Sequence, residues 1–109
     1  MSRTIKSVIR TFVEWQLRDY QENKKTLKTM ATAEADPQYH EHLVRSVRAI
    51  SKVLGEATVE ELELVRLVYW QRTHTITGAG MALNLGRSTA YRYQDRLIRA
   101  IARELGYIR

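Results

Sequence analysis

The chain has 109 residues, a formal charge of +6, no cysteine, one proline and five glycines. The missing cysteine excludes a disulfide framework, thiolate zinc sites and cysteine nucleophiles, and so few breakers let most of the chain run as uninterrupted helix. No apolar run approaches the roughly 20 residues of a membrane span, and the N-terminal residues lack a cleavable signal pattern, so the expectation is a soluble, intracellular, all-α protein.

The first predicted helix covers residues 2–32. Ile5, Val8, Ile9, Phe12, Val13, Trp15 or Gln16, Tyr20, Leu27 and Met30 recur at three- and four-residue steps, the spacing of one helix face. The stripe thins at the polar run QENKKT. After the connector ATAEADP, Asp36-Pro37 is a helix start, an acidic N-cap followed by proline in the first turn. The second helix then runs over residues 37–54 with Tyr39, Leu43, Val47, Ile50 and Leu54 on one face, and Gly55 is placed to end it.

Thr58 and Glu61 fit a capping box, opening a third helix that shows Val59, Leu62, Val65, Val68 and Tyr69 on one face up to Trp70. The periodicity stops over RTHTIT. Thr75 can cap a short fourth helix over residues 76–84, Asn84-Leu85-Gly86 reads as a turn, and a fifth helix covers residues 87–105 with Ala90, Tyr93, Leu97, Ile101 and Leu105 inward. Gly106 ends it. The pattern has about five helices, and the division it suggests is an N-terminal helical scaffold over residues 1–57 and a DNA-binding unit over residues 58–109.

Charge is uneven along these elements. Residues 1–57 carry ten basic and seven acidic side chains, residues 58–86 carry two and three, and residues 87–109 carry six and two, all six arginines. Arginine suits bidentate contact with phosphate and guanine. A short helix, a tight turn and a longer basic helix form a helix-turn-helix pattern. Close packing of its two helices asks for small residues, which Ala79, Gly80, Ala82 and Ala90 supply, and Leu83 and Leu85 can plug the turn. Two glycines in the short helix cost roughly 1 kcal/mol each against alanine, and a closer helix approach would be the compensation. Arg87, Ser88, Thr89, Tyr91 and Arg92 occupy the first two turns of the last helix, facing the groove of a DNA duplex. Arg96 further along and Thr75 at the head of the short helix join the candidate DNA contacts. A basic helix face serving only as solvated surface is the plainer alternative.

Other residues carry no comparable pattern. His40, His42 and His74 lack metal-ligand spacing. The capping box and a solvated face account for Glu60, Glu61 and Glu63. No nucleophile–base pair, phosphate loop or cofactor motif is present, so neither an enzyme nor a bound cofactor or metal is expected.

The stretch GRSTAYRYQDRLIRAIARELGY resembles the C-terminus of phage late-gene transcriptional activators of the RinA/ArpU type, whose helix-turn-helix is similar to region 4 of sigma factors. ELELVRLVYWQR, with its Tyr69-Trp70 pair, resembles that family's scaffold helix, and the likeness covers residues 58–107. One departure stands out: Ala79-Gly80 replaces an isoleucine-alanine pair in the short helix. The resemblance implies a sequence-specific activator of phage or prophage late genes, at work in the cytoplasm of a bacterial host and in contact with RNA polymerase. A small-terminase-like DNA-packaging protein and an interaction module that binds an acidic protein remain open as alternatives. The partners expected are double-stranded DNA and a second copy of the chain, a homodimer held by the Ile5–Val13 stripe of the first helix.

Overall fold

The computed structural model describes residues 5–30 and 36–109, and among these every regular element is helical. Helix α1 spans Ser7–Thr29 and α2 spans Pro37–Gly55. Helix α3, Val59–Val65, continues into a π-helical turn at Arg66–Trp70. Helices α4, Ile76–Ala82, and α5, Arg87–Glu104, follow. The five expected helices are all present, and the ends of the first that fall on residues 2–4 and 31–32 lie outside the described residues. No helix among the described residues is long and apolar enough to cross a membrane.

The helix starts follow from local chemistry. The Asp36 carboxylate accepts from the amides of Gln38 and Tyr39 at 2.8 and 3.4 Å, with Pro37 supplying a preset first turn. At Thr58 the capping box is complete: the hydroxyl accepts from the Glu61 amide at 3.2 Å, and the Glu61 carboxylate accepts from the Thr58 amide at 3.0 Å. Gly106 adopts φ +80, and the Tyr107 and Gly106 amides return to the carbonyls of Ala102 and Arg103, closing α5 in a Schellman motif. Gly55 behaves differently from expectation. It is the last residue of α2, which closes through amides of Glu56 and Ala57 bonded to Val53 and Leu54; a tightened last turn replaces the left-handed glycine cap.

The main core joins α1, α2, the π-turn and α5, so it draws on residues from both sides of position 57. Val13 and Leu17 of α1 meet Ile50, Val65, Ile98 and Ile101, all fully buried, and each such side chain contributes on the order of 1.5–3 kcal/mol. This corrects the expected faces. Ile5 and Val13 are buried within the molecule, whereas Val8 and Phe12 of the same predicted stripe are exposed, and Leu17 carries more of the core than either. Tyr39 and Val59 also lie outside it: on α2 Ala49 and Val53 fill the main core, and after Thr58 Leu64 and Leu67 are buried in a second cluster. Packing thus selects a face of α1 and of α2 rotated from the apolar stripe that periodicity marks.

A polar chain runs along the same seam. The Tyr69 hydroxyl donates to Glu14 at 2.9 Å and accepts from Gln94 at 2.8 Å, and Arg10 donates to Gln94 at 3.0 Å. Burial, with the Glu14 carboxylate beside it, pushes the Tyr69 phenol well above the usual tyrosine range, so it stays a donor. Trp70 donates its indole N–H to the Leu17 carbonyl at 3.0 Å and stacks on Tyr20, whose hydroxyl lies 2.7 Å from Ser51. Replacing Tyr69 by phenylalanine keeps the ring but leaves Glu14 and Gln94 each short of a partner. Urea unfolding of Tyr69→Phe is expected to show a loss of about 1–3 kcal/mol; an unchanged midpoint and slope would contradict the role assigned to this hydroxyl.

Candidate nucleic-acid interface

Helices α4 and α5 are joined by the four residues 83–86 and pack on a second, smaller core of Leu64, Leu67, Ala79 and Ala90, with Ile76, Leu83 and Tyr93 at its margin. The α4–α5 approach is set by Gly80: a β-carbon there would stand 2.8 Å from the Ala90 β-carbon, closer than side chains pack. The helix-propensity cost of this glycine is thus the condition for the crossing. Ala79 is fully buried beside it, while Ala82, expected inward, faces solvent. The turn is a second Schellman motif. Asn84 takes the left-handed conformation at φ 58, the Leu85 amide bonds the Gly80 carbonyl at 2.7 Å, and the Asn84 amide bonds that of Met81 at 3.1 Å. Asparagine tolerates this region better than most residues with a side chain. Leu83 and Leu85 are half-buried beneath it, as a plug requires.

Anchored this way, α5 presents the expected side chains outward. Arg87, Ser88, Tyr91 and Arg92 are exposed, Thr89 is half-buried, and Ala90 points inward. The Arg87 guanidinium lies 5.8 Å from the centre of the Tyr91 ring, and Arg92 donates to the Thr89 hydroxyl at 3.3 Å. Among the described residues neither arginine has a carboxylate partner. Two arginines further along α5 do. Arg99 bonds Asp95 at 2.8 Å. Arg96 places Nε 3.0 Å and Nη2 2.6 Å from Glu61, while its guanidinium stands 5.5 Å from the Tyr93 ring centre. Thr75 serves α4 directly, its hydroxyl accepting from the Gly78 amide at 3.0 Å. Of the seven predicted contacts, five therefore share one exposed surface, and Arg96 and Thr75 have internal partners.

Glu61 does more than its place in the capping box implies. Only 3% exposed, it closes the capping box with one carboxylate oxygen and holds Arg96 with the other, tying α3 to α5. Burial acts to raise its pKa, but hydrogen bonds from the Thr58 amide, Arg96 and the Thr58 hydroxyl outweigh burial and hold the carboxyl below the ordinary range. The signal available in sequence was the box alone; nothing in spacing pairs position 61 with position 96. Among the described residues no cluster of three or more His, Cys, Asp or Glu could hold a metal ion.

Two outcomes follow from this geometry. The same glycine-to-alanine change should have opposite signs at two positions. Gly80→Ala forces the α4–α5 crossing apart and should destabilise by about 1–3 kcal/mol, whereas Gly55→Ala, with no atom within 4 Å of the new methyl, should stabilise by about 0.5–1 kcal/mol. Thermal unfolding of both decides it. For pH, the depressed Glu61 pKa stabilises the fold fully above the unfolded value of about 4.3, and this contribution disappears as pH falls through the lower folded value. Glu61→Gln should therefore lose stability at neutral pH and show a shallower decline on acidification than the parent; parallel acid curves would contradict the assignment. No protein-family model, curated protein or solved structure matches this chain.

Proposed function

We propose that the chain is a sequence-specific transcriptional regulator that binds duplex DNA through α5, and that it activates phage or prophage late genes with RNA polymerase in the bacterial cytoplasm. The observation that carries DNA binding is the contrast along one helix. Arg96 and Arg99 in its middle are matched with carboxylates, while Arg87 and Arg92, at the exposed end that follows the α4–α5 turn, are not, and a lone unmatched Arg103 stands at the far end. An unmatched pair of arginines beside Ser88, Thr89 and Tyr91 suits the reading of base edges and adjacent phosphates. The free amides of the α5 N-terminus add a favourable field for a phosphate. Activation, rather than repression, rests on the resemblance of residues 58–107 to phage activators and sigma region 4.

Selection from a random duplex pool would supply the binding site, and titration at two salt concentrations the test. Arg87→Ala and Arg92→Ala should each lower affinity for the selected site at least about tenfold, close to 1.4 kcal/mol, with helical content unchanged. Arg99→Ala should weaken all sequences alike and by less, because its guanidinium is already held by Asp95. Full binding by a folded protein lacking both early arginines would remove α5 as the reading helix. Transcription in vitro from a promoter bearing the site should rise on addition of the protein; a fall alone would leave DNA binding and remove activation.

A further inference from the structure

The burial of Ile5 and Val13 leaves a different apolar surface on α1. Phe12 and Trp15 are 47% and 55% exposed, and they line a shallow groove with Tyr39 of α2, 51% exposed, and Tyr107, 38% exposed. Val8, one turn before Phe12, extends it. The elements are held in register: Phe12 and Trp15 pack edge to face at 6.1 Å, and Gln16 donates to the Tyr107 hydroxyl at 3.0 Å. These five residues account for most of the large exposed apolar side chains of the described molecule.

We infer that this aromatic groove is the self-association surface through which two copies of the chain form a symmetric dimer. Three observations select that occupant. The first is chemical: no Lys or Arg lines the groove and Asp19 does, so it is unsuited to the phosphates that a basic protein otherwise attracts. The second is area. Aromatic side chains of about 150–250 Å² each, roughly half exposed, offer on the order of 400 Å² of ring surface. That suits the aromatic centre of one side of a standard interface, about 800 Å² per partner. The third is position. Tyr107 follows the C-terminal end of α5, roughly 20 Å along the helix from Arg92 at 1.5 Å per residue. A two-fold contact through the groove therefore leaves both reading ends free, and twice that reach is enough to span half-sites one duplex turn, about 34 Å, apart. This last argument rests on the proposed DNA reading; the first two do not.

Sedimentation equilibrium of the full chain, with Phe12→Asp, Trp15→Asp and Tyr39→Asp alongside, tests the inference. All three side chains are exposed, and circular dichroism verifies the fold. The parent should be a dimer at tens of micromolar, and each variant should raise the dissociation constant at least about thirtyfold. A parent that stays monomeric at hundreds of micromolar, forms a ring of higher order, or dimerises undiminished in all three variants overturns it. Titration of the monomeric variants with a single half-site keeps the two readings apart. Loss of dimer with half-site binding intact supports both. Loss of dimer in a protein whose parent binds no duplex supports the surface and removes the DNA reading.

Discussion

The π-turn at Arg66–Trp70 is the constraint on which the rest of the molecule depends. Its widened backbone, with the Gln71 amide bonded to the Arg66 carbonyl at 2.8 Å, lets two consecutive residues, Tyr69 and Trp70, both engage α1. Here Tyr69 bonds Glu14 and Trp70 bonds the Leu17 carbonyl one turn on. Gln94 then extends the same hydrogen-bond chain into α5. Arg72, at φ 56, turns the chain away immediately afterwards. The long N-terminal helix and the basic C-terminal helix thus share one rigid junction, and α4 is suspended from α3 and α5 by a small core of its own.

That division of labour explains how α5 serves two demands. Its later turns are packed on α1, α2 and α3, and two of their three arginines are neutralised, Arg99 by Asp95 and Arg96 by Glu61, while Arg103 in the last turn has no carboxylate partner among the described residues. Its first two turns bury little besides Ala90, which packs on Gly80 and Ala79 of α4 and on Leu64 and Leu67 beneath them. The end of the helix that carries the unmatched pair Arg87 and Arg92 is also its more exposed end. Helix-propensity cost at Gly80 and a left-handed Asn84 are accepted locally so that this end projects.

Much of this was legible in the sequence. Asp36-Pro37, the Thr58–Glu61 box, Thr75 and Gly106 mark helix ends through interactions within a few residues, and each acts as expected. The outward set from Arg87 to Arg92 was legible too, because alternation on one helix is a matter of backbone geometry once Ala90 is taken as inward. Faces were less so. The choice of Leu17 over Phe12, or Val53 over Tyr39, depends on which neighbour a helix meets, and periodicity admits several rotations of an apolar helix. Gly55 could not be separated from Gly106 by type; only the backbone conformation distinguishes them.

What the sequence by itself determined is therefore the number of helices, most of their ends and the exposed first turns of α5, since those follow from local hydrogen bonding and the 3.6-residue repeat. Tertiary structure alone decided the rest. It drew Arg96 to Glu61, placed Tyr69 between Glu14 and Gln94, and gathered Phe12, Trp15, Tyr39 and Tyr107 from three segments into one groove. Each of these joins residues 24 or more positions apart, and such pairings are set by the packing of whole helices against one another rather than by any neighbouring residue.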